Sequence, residues 1–280
     1  MKYFKVWFTI FSTFFALNTF AQIDLDGGDD KYKPRVGQDG KDVVWVPTSN
    51  ELLAIMLKTA KVTSSDLVYD LGSGDGRIAI TAAKNFGARA VGIEFNPEMA
   101  QLAQRNVDRS GVGDRVKIIN GDIFVEDFSK ATVVTMYLLP ELNIALRPTI
   151  LKMKPGTRVT SHAFNMGDWD ADVGIDSPAK AYYWVVPAQV QGEWLISGME
   201  PGRTTLKLSQ HFQKIGGTIQ IGNDSQPILN PRLDGATLSF TYLDRDKSSH
   251  FVMLTVDNNE IKGIYKSRSY TDTKITGKRL

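Results

Sequence analysis

Val68-Tyr69-Asp70-Leu71-Gly72-Ser73-Gly74-Asp75-Gly76-Arg77 is the stretch that decides the fold. An apolar run of strand length, Leu67 to Leu71, meets three glycines spaced two apart, and helical periodicity follows over 78–85. Glycine is needed where the backbone turns sharply and where a ligand must approach with no Cβ in the way. A strand running into such a turn and then a helix places that turn at the carboxyl end of the strand, where open α/β sheets bind ligands.

Working outward, the same alternation repeats. Thr48-Ser49-Asn50-Glu51 reads as a capping box opening a helix with Leu52, Leu53, Met56 and Leu57 on its apolar face. Strands are expected at 90–95, 116–120, 131–138 and 157–164, and helices at 97–109 and 140–153, the first with Pro97 in its opening turn. Strands alternating with helices at this spacing give βαβ units: a Rossmann-like, mainly parallel α/β sheet over 45–187. Beyond Pro187 the helical period stops. Short alternating runs at 193–197, 204–212, 217–221, 236–243, 251–256 and 260–265, broken by Gly216-Gly217 and Asn258-Asn259, predict a smaller antiparallel β sandwich or barrel over 188–280.

Towards the amino terminus, residues 22–44 are rich in Gly, Asp and Lys without a hydrophobic period and read as a linker. Residues 1–21 have the layout of a secretory signal peptide: Lys2 and Lys5, an apolar run from Val6 to Leu17, and the small residue Ala21. The run is too short for a bilayer span, and acids follow it, so export to the periplasm or the exterior is expected.

The chain has 280 residues, with 33 Lys and Arg against 31 Asp and Glu. Two of those basic residues lie before Gln22 and no acid does, so the remainder carries no net charge. That balance argues against a nucleic-acid partner, which needs a basic surplus to neutralise phosphates. There is no cysteine, which excludes disulfides, thiolate metal sites and a cysteine nucleophile, and the three histidines are dispersed; no metal site is expected. Asp168, Asp170 and Asp172 lack a closing Glu, Ala179 standing in its place, so they read as a polar surface loop. Met136, Met153 and Met166 read as core fillers.

Three carboxylates recur at successive strand ends. Asp70 precedes the glycine turn. Glu94 ends the next strand, in Gly92-Ile93-Glu94-Phe95-Asn96-Pro97, where an acid can accept from both ribose hydroxyls. Asp122 follows the third, in Asn120-Gly121-Asp122-Ile123-Phe124, where it can accept from an adenine amino group while Ile123 covers the ring. The Gly-x-Gly-x-Gly spacing is not the dinucleotide pattern Gly-x-Gly-x-x-Gly, and Asp70 suits a cation better than a pyrophosphate. S-adenosylmethionine carries an ammonium and a sulfonium and no phosphate.

On these residues the sequence resembles the class I S-adenosylmethionine-dependent methyltransferases. The resemblance implies that Asp70, Gly72, Ser73, Gly74 and Gly76 belong to the cofactor-binding first motif, that Glu94 is the ribose acid, and that Asp122 and Ile123 form the adenine side. It places Val134-Thr135-Met136-Tyr137-Leu138-Leu139-Pro140 at the fourth motif, which lines the transfer site. This segment departs from the Asn/Asp-Pro-Pro-Tyr version of many DNA-base and glutamine methylases. With Val46-Pro47-Thr48 and 155–159 it is similar to a narrower group that contains protein-lysine methyltransferases. The Gly192-Glu193-Trp194 triplet is similar to the opening of lipocalin-like barrels.

An amine acceptor must attack as the neutral species, so a lysine needs desolvation to lower its pKa. Tyr137 is assigned the orientation of the acceptor, with core packing as its alternative. His162 is assigned the role of proton acceptor, with satisfaction of a backbone group as its alternative. The rival readings are a small-molecule methyltransferase and a nucleoside-binding protein that kept the fold without turnover. The β unit could select the acceptor, contact an envelope component or cover the sheet edge, and its residues do not decide among these.

Overall fold

The computed structural model describes Leu25 and residues 28–199, 203–266 and 272–280. The segment read as a signal peptide lies outside the described residues. The amino-terminal half is a seven-stranded sheet built from β1 (Leu67–Leu71), β2 (Arg89–Glu94), β3 (Val116–Asn120), β4 (Val133–Met136), β5 (Arg158–His162), β6 (Val173–Ile175) and β7 (Ala181–Val185). Their order is β3-β2-β1-β4-β5-β7-β6. The first five strands run parallel, and β7 runs antiparallel to both β5 and β6. The order reverses between β1 and β4, which opens a crevice at their carboxyl ends.

Helices α1 (Asn50–Thr59), α2 (Arg77–Phe86), α3 (Pro97–Arg109) and α4 (Pro140–Ile150) connect and cover the sheet. Buried strands need apolar cover on both faces. One face packs with Leu57, Ile80, Ala83 and Val107, the other with Ile93, Met136, Leu146 and Trp184. Helix α3 starts where Asn96 accepts from the backbone N–H groups of Glu98 and Met99, with Pro97 in its first turn. The start of α1 differs from the capping box: Ser49, not Thr48, is the cap, accepting from Leu52 N, so Glu51 sits too early to close the box. Strands β6 and β7 lack the sequence signal of the others. The first is three exposed or half-exposed residues, and the second, Ala-Tyr-Tyr-Trp-Val, is an aromatic run without alternation.

The carboxyl-terminal half is one nine-stranded antiparallel sheet: β8 (Gly192–Ser197), β9 (Thr204–His211), β10 (Lys214–Ile221), β11 (Asp224–Pro227), β12 (Leu229–Asp234), β13 (Thr237–Leu243), β14 (Ser249–Asp257), β15 (Glu260–Lys266) and β16 (Asp272–Arg279). Its order, β11-β10-β9-β8-β16-β15-β14-β13-β12, curls until the two ends meet. Gln226 of β11 brackets Leu243 of β13, accepting from its N–H at 3.0 Å and donating to its carbonyl. Of the two expected architectures, this nearly closed barrel is the one formed. Alternation sets its interior: in β14, His250, Val252, Leu254 and Val256 point inward, and Phe251, Met253 and Thr255 outward. Strands β11, β12 and β16 escape the sequence pattern because they are short or dominated by polar residues.

The β9–β10 hairpin docks the barrel onto the first half. Phe212 sits at its tip with a φ of 53° and stacks on Trp169, centroids 5.8 Å apart. Gln213 accepts from Trp169 Nε1 at 3.0 Å and donates to Asp170 O at 2.7 Å and Asp172 Oδ1 at 3.1 Å. The Asp168–Asp172 loop is therefore part of the seam between the two halves, with Asp168 on Arg147 and Asp170 on Lys214.

Candidate functional site

The crevice between β1 and β4 holds the buried carboxylate of Asp70. Its Oδ1 accepts from Thr135 Oγ1 at 2.6 Å, and its Oδ2 is buried with no partner. Burial, only partly offset by the Thr135 hydrogen bond and reinforced by Asp75 and Glu94, pushes its pKa up to about 7. A carboxylate withdrawn from water and left one donor short is a costly arrangement unless a cation completes it.

Glu94, at the end of β2, accepts from Gly74 N at 2.8 Å and Asn96 N at 2.9 Å. Burial raises its pKa against those hydrogen bonds. The side chain thus clasps the glycine turn as well as facing the cleft. Asp122 follows β3. Its Oδ2 meets Lys41 Nζ at 2.7 Å and its Oδ1 accepts from Phe124 N at 2.9 Å, contacts that hold its pKa below the usual range. Asp70, Glu94 and Asp122 line one cleft of about 970 Å³, mouth included, together with Gly72, Ser73, Gly74, Ile123 and Tyr137.

Two sequence-predicted residues stand elsewhere. Gly76 does not line the cleft: it caps α2 with a φ of 82°, and a Cβ there would press on Ala103 of α3 at 3.2 Å, so its role is close helix packing. His162 ends β5 behind the cleft wall. Its Nδ1 lies 3.0 Å from Thr48 Oγ1 and its ring 3.8 Å from that of Tyr137, centroid to centroid. Burial lowers its pKa, favouring the neutral imidazole.

Residues 38–48, which by composition read as the end of a linker and the approach to a helix, also line the cleft. Trp45 N donates to Gln38 O at 2.9 Å, Gly37 N donates to Trp45 O at 2.8 Å, and Asp39 bridges to Val44, so the segment is a small hairpin. Asp29, bound to Arg105, ties its approach to α3. Trp45 lies over the turn so closely that a Cβ on Gly74 would come within 2.7 Å of its Nε1. Lys41 sits 4.8 Å from the Phe95 ring centroid. The run Val43-Val44-Trp45-Val46 is the one sequence signal for these contacts, masked by the polar residues before it. Beneath the turn, Arg77 is clasped by Asp75 at 2.7 Å and donates to Thr48 O at 3.1 Å.

The cleft fits S-adenosylmethionine on three grounds. Asp70 Oδ2 is an unpartnered buried acceptor where a cation would complete it. The glycine turn, with a φ of 54° at Gly74, lines the cleft with backbone rather than with long side chains. Acids rather than phosphate-binding N–H groups dominate its polar wall. Among the described residues, no three acids or histidines gather in a way that could hold a metal ion.

Comparison with known proteins agrees. Residues 70–173 match the family described as the ANTKMT methyltransferase domain. A protein-lysine N-methyltransferase of Saccharolobus islandicus is 49% identical over 130 residues, which are 46% of this chain and 81% of that protein. An ATP synthase lysine N-methyltransferase of Homo sapiens is 30% identical over 138 residues, 48% of this chain and 58% of that one; the chain thus spans little more than half of this second relative. A Salinibacter ruber structure, described as an RNA methyltransferase in complex with S-adenosyl-L-homocysteine, is 46% identical and superposes with a TM-score of 0.51, covering 52% of this chain and 96% of that one. With its cation-seeking cleft, its strand order and relatives this similar across most of their own length, the chain belongs to the class I S-adenosylmethionine-dependent methyltransferases.

Proposed function

We propose that the protein methylates the ε-amino group of a lysine in a protein acceptor. The observation that carries this reading is the similarity to the Saccharolobus protein-lysine N-methyltransferase, 49% identical over 81% of its length. The cleft supports it: Tyr137, Leu138 and Leu142 form an apolar wall on the acceptor side, where an ammonium loses hydration and its pKa falls. S-adenosylmethionine, when bound, supplies an activated methyl group on a good thioether leaving group. Asp70 would hold its cationic end, Glu94 its ribose and Asp122 with Ile123 its adenine. Tyr137 orients the acceptor nitrogen, and His162, packed behind it with ring centroids 3.8 Å apart, backs that ring. Most of the acceleration comes from alignment of nitrogen and methyl.

The Salinibacter structure's description favours a second reading, an RNA acceptor. The zero net charge of the chain after Ala21 weighs against it, since phosphate binding draws on a basic surplus. Export belongs to the same proposal, supported by Lys2, Lys5 and the apolar run from Val6 to Leu17, and it makes an envelope protein the acceptor.

The protein incubated with methyl-labelled cofactor and an envelope extract tests both. Label in protein that yields methyl-lysine on acid hydrolysis is the expected result. Label that disappears with ribonuclease, or that stays in low-mass material, overturns the lysine reading.

A further inference from the structure

The hairpin of residues 37–46 turns at Gly40-Lys41-Asp42-Val43. Gly40 N donates to Val43 O at 2.9 Å, and a Cβ on Gly40 would lie 2.4 Å from that oxygen, so the turn needs glycine and puts Lys41 at the tip. The base of the hairpin is tied down on both sides. Upstream, Gln38 Nε2 donates to Tyr32 Oη at 2.8 Å and Asp29 pairs with Arg105 of α3. Downstream, Arg77 Nη1 donates to Thr48 O at 3.1 Å. The tip is held differently. Among the described residues, the polar contact that joins residues 39–44 to anything beyond the hairpin is Lys41 Nζ on Asp122 Oδ2 at 2.7 Å, with the same ammonium 4.8 Å from the Phe95 ring centroid.

The hairpin thus has two footholds, Trp45 over Gly74 and Lys41 on Asp122. Gly74 follows β1 and Asp122 follows β3, with β2 between, so the footholds belong to strands about 10 Å apart. Between them Glu94 and Phe95 leave the end of β2, and all six residues line the same cleft. The hairpin therefore crosses the cleft from the β1 side to the β3 side. Its tip contact is a weak one: the Lys41 and Asp122 side chains are 39% and 24% exposed, and ion pairs of that kind contribute little and are screened by salt. A fixed base with a tip held by one reversible contact is the arrangement of a strap that opens at one end.

We propose that the 37–46 hairpin is a strap across the nucleoside half of the cofactor and that Lys41 is its latch, a positioning residue that holds the tip to Asp122 and so gates the entry of S-adenosylmethionine and the exit of its demethylated product. This rests on the placement of ribose at Glu94 and adenine at Asp122 given above, and it is independent of the methyl acceptor. Asp122 can serve both partners. A carboxylate offers about four lone-pair sites, of which Phe124 N and Lys41 Nζ take one each. A gate slows passage in both directions, whereas a contact made only with the bound cofactor slows release alone.

Rapid-mixing kinetics with S-adenosylhomocysteine on the full chain test that signature. In Lys41→Met, which keeps the stem and removes the charge, association and release should both speed up, each about fivefold, while Kd stays within about threefold. Lys41→Arg, which keeps the charge and the ring contact, should restore most of both rates. Added salt should speed passage in the wild type and change Lys41→Met less. Faster release with unchanged association would make Lys41 a plain cofactor contact, and faster association with unchanged release would make it a plug in the adenine place. Either result, like two unchanged rates, overturns the latch. Amide exchange without cofactor reads the tip directly: Gly40 N–H should exchange faster in Lys41→Met, while Trp45 N–H, bonded to Gln38 O at the base, keeps its rate. Equal exchange at Gly40 in the two proteins also overturns the latch. A wild type that gives no binding heat with S-adenosylhomocysteine overturns the cofactor placement instead, and Gly40 exchange still decides whether Lys41 holds the tip.

Discussion

Two aspartates at the ends of two strands show how differently one side chain is used. Asp244, in the barrel, accepts from His250 Nε2 at 2.9 Å and from Ser248 N at 2.7 Å, and these contacts hold its pKa below the usual range. Asp70, at the crevice of the parallel sheet, has Thr135 as its donor, keeps one buried oxygen bare, and has its pKa pushed up to about 7. The barrel's acid arrives with its donors, so folding favours its charge. The crevice's acid is left incomplete, so the charged form waits for a cation from outside. A site built for structure satisfies itself; a site built for a ligand does not.

The widest separation between the two halves should come from the barrel core. Phe240 is almost fully buried among Leu238, Tyr242 and Leu254. Phe240→Ala should destabilise the barrel by about 3–5 kcal/mol and speed hydrogen exchange along β13 and β14, while cofactor Kd, read by titration calorimetry, stays within about twofold. Cofactor affinity lost in proportion to barrel stability would erase the distinction.

Asp70→Asn should do the reverse. Removing one partner of a buried charge pair weakens cofactor binding by about a hundredfold or more, yet the unliganded fold should gain stability at neutral pH. The sign follows from the raised pKa: folding prefers the protonated acid, so its contribution is full below the unfolded value near 3.8 and is lost as pH rises through about 7. Thermal melts of the unliganded wild type should thus fall progressively behind Asp70→Asn across that window. Over the same window wild-type cofactor affinity should rise, because the carboxylate is the form that binds a cation. An affinity flat from pH 5 to 8 would show that Asp70 does not hold the cationic group.

The three strand-tip acids are legible in the sequence because their positions follow from strand ends, and strand ends are marked by buried runs and glycines. Trp45, Lys41 and Thr48 are not, because their contacts are tertiary. Nothing local says that a polar, glycine-bearing stretch folds back over a cleft formed by residues well downstream. Gly76 departs from its motif reading in the opposite sense, its glycine answering to Ala103 on a neighbouring helix. The Ser/Thr-x-x-Glu spacing points to Thr48 as the cap of α1, a role that the hydroxyl of the next residue fills. Phe212 and Gln213 carry the seam from a hairpin tip, where pattern predicts only a turn.

Gly74 sharpens the contrast at the level of the backbone. Its φ of 54° and the Trp45 indole overhead leave no room for a methyl group. Gly74→Ala should weaken cofactor binding about tenfold. Trp45→Ala added to it should recover part of that loss, since the clash goes with the ring. A double variant no better than the single would mean that strain in the turn, not the overlying hairpin, sets the effect.

The smallest effect belongs to the seam, where the two halves share one hydrogen-bonded hub. Gln213 is acceptor to the indole N–H of the fully buried Trp169 and donor to Asp170 O and Asp172 Oδ1. Gln213→Ala strands that indole N–H and should cost about 1–2 kcal/mol, read as faster hydrogen exchange in both β10 and β7, because Asp172 also accepts from Val185 N at 2.7 Å. Gln213→Glu keeps the acceptor for Trp169 but puts a carboxylate against Asp172, whose own pKa burial already raises. Its defect should therefore deepen as pH rises and shrink in acid, where either carboxyl can carry a proton. Gln213→Ala has no group at that position to titrate and should show no such added dependence. A pH-independent defect in Gln213→Glu would mean that the seam is wet at Asp172 and that the hydrogen bond to Trp169 alone couples the barrel to the methyltransferase sheet.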